Sequence, residues 1–364
     1  MVFELASAQR RLGADVEIWT PNAVRAGSTE IFDELPLRYF ASNPLQGLAR
    51  SSRLRQEIAA LPKSAILHAH NTFHPLDLQV GAAAAAHGLK ACYHPHGALD
   101  PELFADWSLK SLKKRLYIRA CSRPNLQRAA GVFALTSLER RQLVTLGVTA
   151  PIHVVPNGIR PVNVAAPEQG LALRRQHGID AKAQVLLFIG RITPKKRLED
   201  IIRALSLLGD PVPHFFIAGS PEEEPAYGES LCRIVRASGC AARVHWLGFL
   251  DEAAKAAAYA AADVFVHASA SEGMALAILE AMSAGLPVVA TRGCYMLEAA
   301  DAGALIQCEQ GAVALAGAVA PLLADSARAR AQGLAGQAYA HRVHDWEALA
   351  RTTLRLYTEA PVRA

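Results

Sequence analysis

The chain has 364 residues, 51% hydrophobic and 20% charged, a globular composition that excludes a disordered or fibrous protein. Its 38 basic and 33 acidic residues leave a net charge of +5, which suits anionic partners such as phosphates or a membrane surface and is too small to argue for nucleic-acid binding. At roughly 100 to 200 residues per domain, the length predicts two domains.

In chain order, Val2, Leu5, Ala6, Ala8 and Leu12 lie at helical spacing up to Gly13, so a helix is expected to open the chain. Glu4 and the lack of a positive leader set this segment apart from a signal peptide. Val16 to Trp19 reads as a strand ending at Pro21, and Ala65 to Leu67 as another, followed by a loop with His68, His70 and His74. Leu78 to His87 reads as a helix, Ala91 to Tyr93 as a strand, His94 to Pro101 as a loop, and Gly131 to Leu135 as a strand before a helix starting at Ser137. Pro151 to Gly170, with four prolines and Asn157-Gly158, reads as a linker. Beyond it, strands are expected at 185–189, 215–218, 244–247, 264–267 and 288–291, with helices at 197–208 and 276–284. The alternation predicts an α/β protein of two doubly wound domains. The apolar run Ala312 to Ala324 contains Pro321 and is shorter than the roughly 18 residues of a membrane span, so no transmembrane helix is expected. The six cysteines form no C-x-x-C pair and are expected to be free thiols of a reducing compartment.

Ser271-Glu272-Gly273 precedes Glu280-Ala281-Met282 by a short stretch. On one continuous helix the two glutamates would point in different directions, so both can address one ligand only if Glu272 lies in the preceding loop. Gly273 allows a tight turn that brings the amides of Met274, Ala275 and Leu276 to an anion at the helix N-terminus. Phe188-Ile189-Gly190-Arg191 runs into Lys195, Lys196 and Arg197, placing cations beyond the end of a strand, where open α/β sheets bind ligands. An arginine and a lysine fixed there could neutralise a departing diphosphate. The sequence has no Asp-x-Asp pair to hold Mg²⁺ or Mn²⁺, so the positive charge is expected from side chains and a helix end, and no metal is expected.

His68, His70 and His74 with His94 and His96 have no carboxylate or cysteine nearby to complete a metal site, so acceptor contact is the expectation. Lys110, Lys113, Lys114, Arg115, Arg119 and Arg123 punctuate a segment with Trp107, Leu112, Leu116 and Ala120 at helical spacing. It reads either as a basic amphipathic helix on anionic lipid or as a solvated helix face. The run Glu222 to Glu224 reads as a solvated loop.

Together, Ser271-Glu272-Gly273, Glu280-Ala281-Met282, Gly285-Leu286-Pro287-Val288-Val289, Gly190-Arg191-Ile192 with Lys196, and Val155-Pro156-Asn157-Gly158-Ile159 resemble the retaining nucleotide-sugar glycosyltransferases of family GT4. His94 to Pro101 resembles the His-Gly loop of that family's first domain, and His344-Asp345-Trp346 to Tyr357 its closing helix. The resemblance implies the GT-B fold, two Rossmann-like domains facing across a cleft. It divides the chain into an acceptor-side domain, 1–158, completed by a C-terminal helix in 345–364, and a donor-binding domain, 159–344. It further implies hexose transfer from a UDP- or GDP-sugar to a saccharide or lipid-linked saccharide, in surface polysaccharide synthesis, in the cytoplasm or at the inner membrane face. No cofactor beyond the nucleotide-sugar is implied. His96 and Glu272 are the implied catalytic residues. Arg191 and Lys196 would hold the diphosphate, Gly273, Met274, Ala275 and Leu276 would present backbone amides, and Glu280 would take the ribose hydroxyls. Ala275 stands where the family usually has a second glycine, Arg197 where it has a glycine, and Arg160 where it has an aspartate. The family begins with a strand and glycine-rich turn that this sequence lacks, so the first sheet is expected to lack a central strand. Two alternatives accompany the transferase reading: an impaired protein of this fold that only binds nucleotide-sugar, and a nucleotide-sugar epimerase.

Overall fold

In the computed structural model, which describes residues 1–22, 24–41, 51–104 and 106–361, the chain opens with α1 (Val2–Arg11), whose Leu5, Ala6 and Ala8 are buried. Next come β1 (Ile18–Pro21), β2 (Thr29–Phe32) and β3 (Leu35–Phe40), a three-stranded sheet in the order β1-β3-β2. β1 runs parallel to β3, while β2 and β3 form an antiparallel hairpin that the sequence reading does not contain. All four residues of β2 are exposed, so no hydrophobic alternation marks it.

The next elements are α2 (Ser52–Ala60), β4 (Ile66–His70), α3 (Pro75–His87) and β5 (Lys90–His94). They are followed by α4 (Leu109–Tyr117), α5 (Arg123–Gln127), β6 (Gly131–Ala134), α6 (Ser137–Thr145) and β7 (Ile152–Val154). Strands β4-β5-β6-β7 form a parallel sheet. His68 and His70 were expected in a loop and instead end β4, because β4 pairs with β5 as far as His70 opposite His94. β7 lies within the expected linker: Ile152 pairs with Val132, and the flanking prolines sit just outside the paired residues, where a strand tolerates them.

The second half holds α7 (Pro167–Gln176), β8 (Val185–Ile189), α8 (Leu198–Leu205), β9 (His214–Ala218), α9 (Pro225–Ala237), β10 (Val244–Gly248), α10 (Glu252–Ala261) and β11 (Val264–His267). It ends with α11 (Leu276–Ser283), β12 (Val288–Thr291), α12 (Leu297–Asp301), β13 (Ile306–Cys308), α13 (Ala312–Ala324), α14 (Ser326–Val343) and α15 (Trp346–Glu359). α7 also begins inside the expected linker, with proline in its first turn, where no backbone N–H is missed. The six strands form a parallel sheet in the order β10-β9-β8-β11-β12-β13. Alternate residues of β8 enter different cores, Val185 and Leu187 on one face, Leu186 and Phe188 on the other. A sheet buried on both faces gives such continuous apolar strands. No helix among the described residues is by itself long and apolar enough to cross a membrane.

The described residues form two compact units: one is Met1–Gly158 with the segment from Trp346, the other Ile159–Asp345. In the first, α15 packs on α1 through Leu349, Ala350 and Tyr357 against Leu5 and Ala8, and Gln9 Nε2 donates to Thr353 Oγ1 at 2.9 Å. Gly158 touches the Trp346 indole so closely that a Cβ there would overlap the ring. In the second unit the two ends meet: Ile159 N–H donates to His344 O at 2.7 Å, and Ile159 pairs with Asp345 as an isolated bridge.

Candidate active site

The strand order of the second unit reverses direction between β8 and β11, and open α/β sheets bind ligands at the carboxyl ends of strands at such a point. Lys196 follows β8, and His267, Ser269 and Glu272 follow or end β11. Lys196 Nζ donates to Glu272 Oε1 at 2.5 Å, and the Ser269 hydroxyl donates to the same oxygen at 2.6 Å. The Lys196 and Glu272 side chains are 13% and 14% exposed, so the ion pair is largely withdrawn from water. Burial alone would raise the Glu272 carboxyl. His267, the charge of Lys196 and the two hydrogen bonds outweigh it and hold the group well below the usual carboxylate range. His267 is itself kept neutral by burial.

The loop carrying Glu272 is fixed from below. Ala270 N–H donates to Lys195 O at 2.8 Å, and the Thr291 hydroxyl donates to Ser269 O at 2.8 Å. Gly293 passes so close to the carbonyls of Ser269 and Ala270 that a Cβ would collide with both. Glu272 thus lies in the loop before α11, the condition its spacing from Glu280 sets. Ala275 is the N-cap of α11 and offers no side-chain cap, and the amides of Gly273, Met274 and Ala275 donate to nothing among the described residues. Free amides and the helix dipole make this an anion-attracting end. Met274 and Ala275 pack into the core, while Leu276 is 42% exposed.

Glu280 stands in a separate group: Tyr259 Oη donates to Glu280 Oε2 at 2.9 Å, and Lys255 Nζ lies 3.5 Å from both carboxylate oxygens. Arg191 is exposed on the loop after β8 and pairs with nothing among the described residues. The structure therefore joins Lys196 to Glu272, gives Glu280 its own partners, and leaves Arg191 unengaged. Glu222 to Glu224 are exposed.

In the first unit, His68 and His70 of β4, His94 of β5 and His96 beyond it form two stacked pairs, with ring centroids 4.2 Å apart for His68–His70 and 4.1 Å for His94–His96. His70 Nδ1 lies 2.9 Å from His96 Nε2, and Tyr357 Oη lies 2.5 Å from His68 Nδ1. Burial pushes all four imidazoles down, His70 to about 4 and His96 to about 3, so they are neutral near pH 7. Ligand atoms of His68, His70 and His94 lie within 4.8 Å of one another, a spacing that could hold a metal ion. The ring planes lie 2° apart for His68 and His94, 29° for His68 and His70 and 27° for His70 and His94. His74 stands apart as the N-cap of α3.

His96 has a left-handed backbone, φ +56°, a strained conformation for a side-chain-bearing residue. Glu139 braces the turn: its carboxylate accepts from Gly97 N–H and Leu135 N–H, both at 2.7 Å. Sequence reading missed this residue, although Thr136-x-x-Glu139 has capping-box spacing. It also missed His267, Ser269, Tyr259 and Lys255 as partners. A histidine closing the apolar strand Val264-Phe265-Val266-His267 is a readable signal, whereas Tyr259 and Lys255 give none.

Residues 1–158 match the family described as glycosyl transferase 4-like domain, and residues 171–339 the one described as glycosyl transferases group 1. The chain belongs to the GT4-type glycosyltransferases. This glycosyltransferase is 28% identical to a D-inositol 3-phosphate glycosyltransferase of Kineococcus radiotolerans, over 99% of this chain and 89% of the relative. It is 29% identical to a phosphatidyl-myo-inositol mannosyltransferase of Mycobacterium leprae, over 80% and 72%. Its fold is GT-B. Sucrose-phosphate synthase from Thermosynechococcus elongatus superposes with TM-score 0.76 at 21% identity, covering 98% of this chain and 92% of that one. Anabaena HepE in complex with UDP-glucose superposes with TM-score 0.72 at 23% identity, covering 90% and 86%.

Proposed function

We propose that this GT4-type glycosyltransferase moves a hexose from a UDP- or GDP-sugar to a saccharide or lipid-linked saccharide in surface polysaccharide synthesis, with retention and without a metal ion. The observation that carries the reading is the buried Lys196–Glu272 pair beside the uncapped start of α11, at the strand-order reversal of the second sheet. Lys196, Arg191 and the free amides of Gly273 to Ala275 would gather the diphosphate and stabilise the charge that grows on it. Ionised Glu272 would fix the donor sugar, and Glu280, steadied by Tyr259 and Lys255, would accept from ribose hydroxyls. As the bond from the sugar's anomeric carbon to the diphosphate oxygen breaks, the acceptor oxygen bonds to that carbon on the same face. The acceptor's proton passes to the departing phosphate oxygen. Neutral His96, oriented by His70 and by the Glu139-braced turn, would hydrogen-bond the reacting sugars.

A cytoplasmic location at the inner membrane face follows from the same reading. Lys110, Lys113, Lys114, Arg115 and Arg119 would meet anionic headgroups beside the exposed Leu112 and Leu116. Titration calorimetry with UDP, GDP and their hexose conjugates, with and without EDTA, tests the donor site. Tight binding of one nucleotide that EDTA leaves unchanged is expected, and binding abolished by EDTA would overturn the metal-free donor site.

A further inference from the structure

The first unit contains a cavity of about 600 Å³ that the transfer chemistry does not use. It opens between the turn Pro101–Phe104, the end of α4 and the end of α6. The buried side chains of Phe104 and Ile118 line it, and Glu102, Arg115, Arg119 and Arg123 are its charged lining residues. Arg115 is committed: its guanidinium donates to the carbonyls of Phe104 and Asp106 and lies 5.1 Å from the Trp107 ring. Arg119 and Arg123 have no hydrogen bond or ion pair among the described residues, and Glu102 pairs with neither. Between α4 and α5 the chain makes a π-helical turn, Ile118–Ser122, an irregularity often found at functional sites.

Beside this cavity lies a largely exposed apolar stripe. Trp107 is 91% exposed, and Leu109, Leu112 and Leu116 of α4 are 68%, 56% and 65% exposed, at spacings that share one helix face. Lys110 and Lys113 are exposed on the same helix. The volume falls within the range of small-molecule sites, about 300–1,000 Å³. Unpaired guanidiniums select phosphate by its geometry and charge. A free phosphate would leave the four exposed apolar side chains unexplained, whereas a lipid carrying a terminal phosphate satisfies both halves.

We propose that this cavity receives the phosphate-bearing head of a membrane lipid on Arg119 and Arg123, with the lipid chains running along Leu109, Leu112 and Leu116. The proposal rests on the reading of a lipid-linked acceptor and names the part of that acceptor the first unit would grip. The test is co-sedimentation of the full chain with phosphatidylcholine vesicles containing either phosphatidic acid or phosphatidylglycerol, adjusted to equal surface charge. The wild type should prefer phosphatidic acid by about tenfold. Arg119→Gln/Arg123→Gln should lose that preference while still binding phosphatidylglycerol vesicles, more weakly by the share of Arg119 and with an unchanged melting temperature. Lys110→Gln/Lys113→Gln should weaken both vesicle types alike. A wild type without preference, or a double arginine variant that keeps it, overturns the proposal, as does inorganic phosphate competing as well as the lipid. Calorimetric donor binding on the same preparations separates the two readings. A vesicle preference without nucleotide-sugar binding would sink the transferase donor site and leave the lipid site standing, and the reverse result would sink only the lipid site.

Discussion

Both units carry their polar candidates where parallel strands end, but with different chemistry. In the second, Lys196 and Glu272 are ionised partners, and Ser269, Thr291 and the neighbouring backbone hold them in place. In the first, four imidazoles stack as neutral rings, with His70 and His96 paired to each other and His68 held by Tyr357. A fixed charge pair costs nothing to reorganise when a diphosphate leaves, which suits the donor role proposed for it. Neutral, stacked imidazoles can present hydrogen-bond donors or acceptors without attracting counter-ions, which suits neutral sugar hydroxyls.

The largest expected effect is on acid stability, which should part the two sites. The histidines have folded values below their unfolded value near about 6.5, so the unfolded chain takes up protons first. Stability supplied by their neutrality is intact above about pH 6.5 and is lost as pH falls towards the folded values, about 4 for His70 and about 3 for His96. Each buried histidine contributes up to about 1.4 kcal/mol per pH unit in that window. Glu272 has the opposite history: its stabilisation is intact above the unfolded value of about 4.3 and fades only below it. Hydrogen exchange along an acid titration should show β4 and β5 opening before β8 and β11; simultaneous opening would remove the contrast.

Truncation of one member of the ion pair comes next. Lys196→Ala strands a buried carboxylate and should cost about 3–5 kcal/mol in denaturant melts, more than Lys196→Met combined with Glu272→Gln. If the double variant is worse than the single, the pair is not coupled as described. Arg191→Ala, which removes no hydrogen bond or ion pair among the described residues, should leave the melt unchanged and lower kcat about 10²–10³-fold with a smaller change in KM. Equal losses in both would make Arg191 a ground-state binder. The smallest effect is expected for Glu280→Ala, a loss of about 1.5–3 kcal/mol in nucleotide-sugar affinity by calorimetry. Tyr259→Phe should give part of that loss, since it loosens the carboxylate without removing it.

The second sheet was legible because buried parallel strands such as Val185–Ile189 and Val264–His267 are uninterrupted apolar runs, and Glu272 could be placed in a loop from its spacing to Glu280. The hairpin β2–β3 was not, because a solvated edge strand has no reason to alternate. β7 was masked by its prolines. Contacts made by the fold alone, such as Tyr259 on Glu280 or Gly97 on Glu139, join residues whose separation follows no helix or strand period. His68 and His70 were visible as a pair but assigned to a loop, since their strand status depends on a partner strand twenty-odd residues away.

The bridge between Ile159 and Asp345 gives the second unit a property of its own. Because Ile159 hydrogen-bonds His344 and lies opposite Asp345, this unit is a closed loop of polypeptide that leaves and re-enters the sequence of the first at one point. Such a module can be lifted out, exchanged for another of the same fold, or recut so that its ends lie elsewhere, without stretching the backbone that carries it. The second unit is therefore a transplantable cassette.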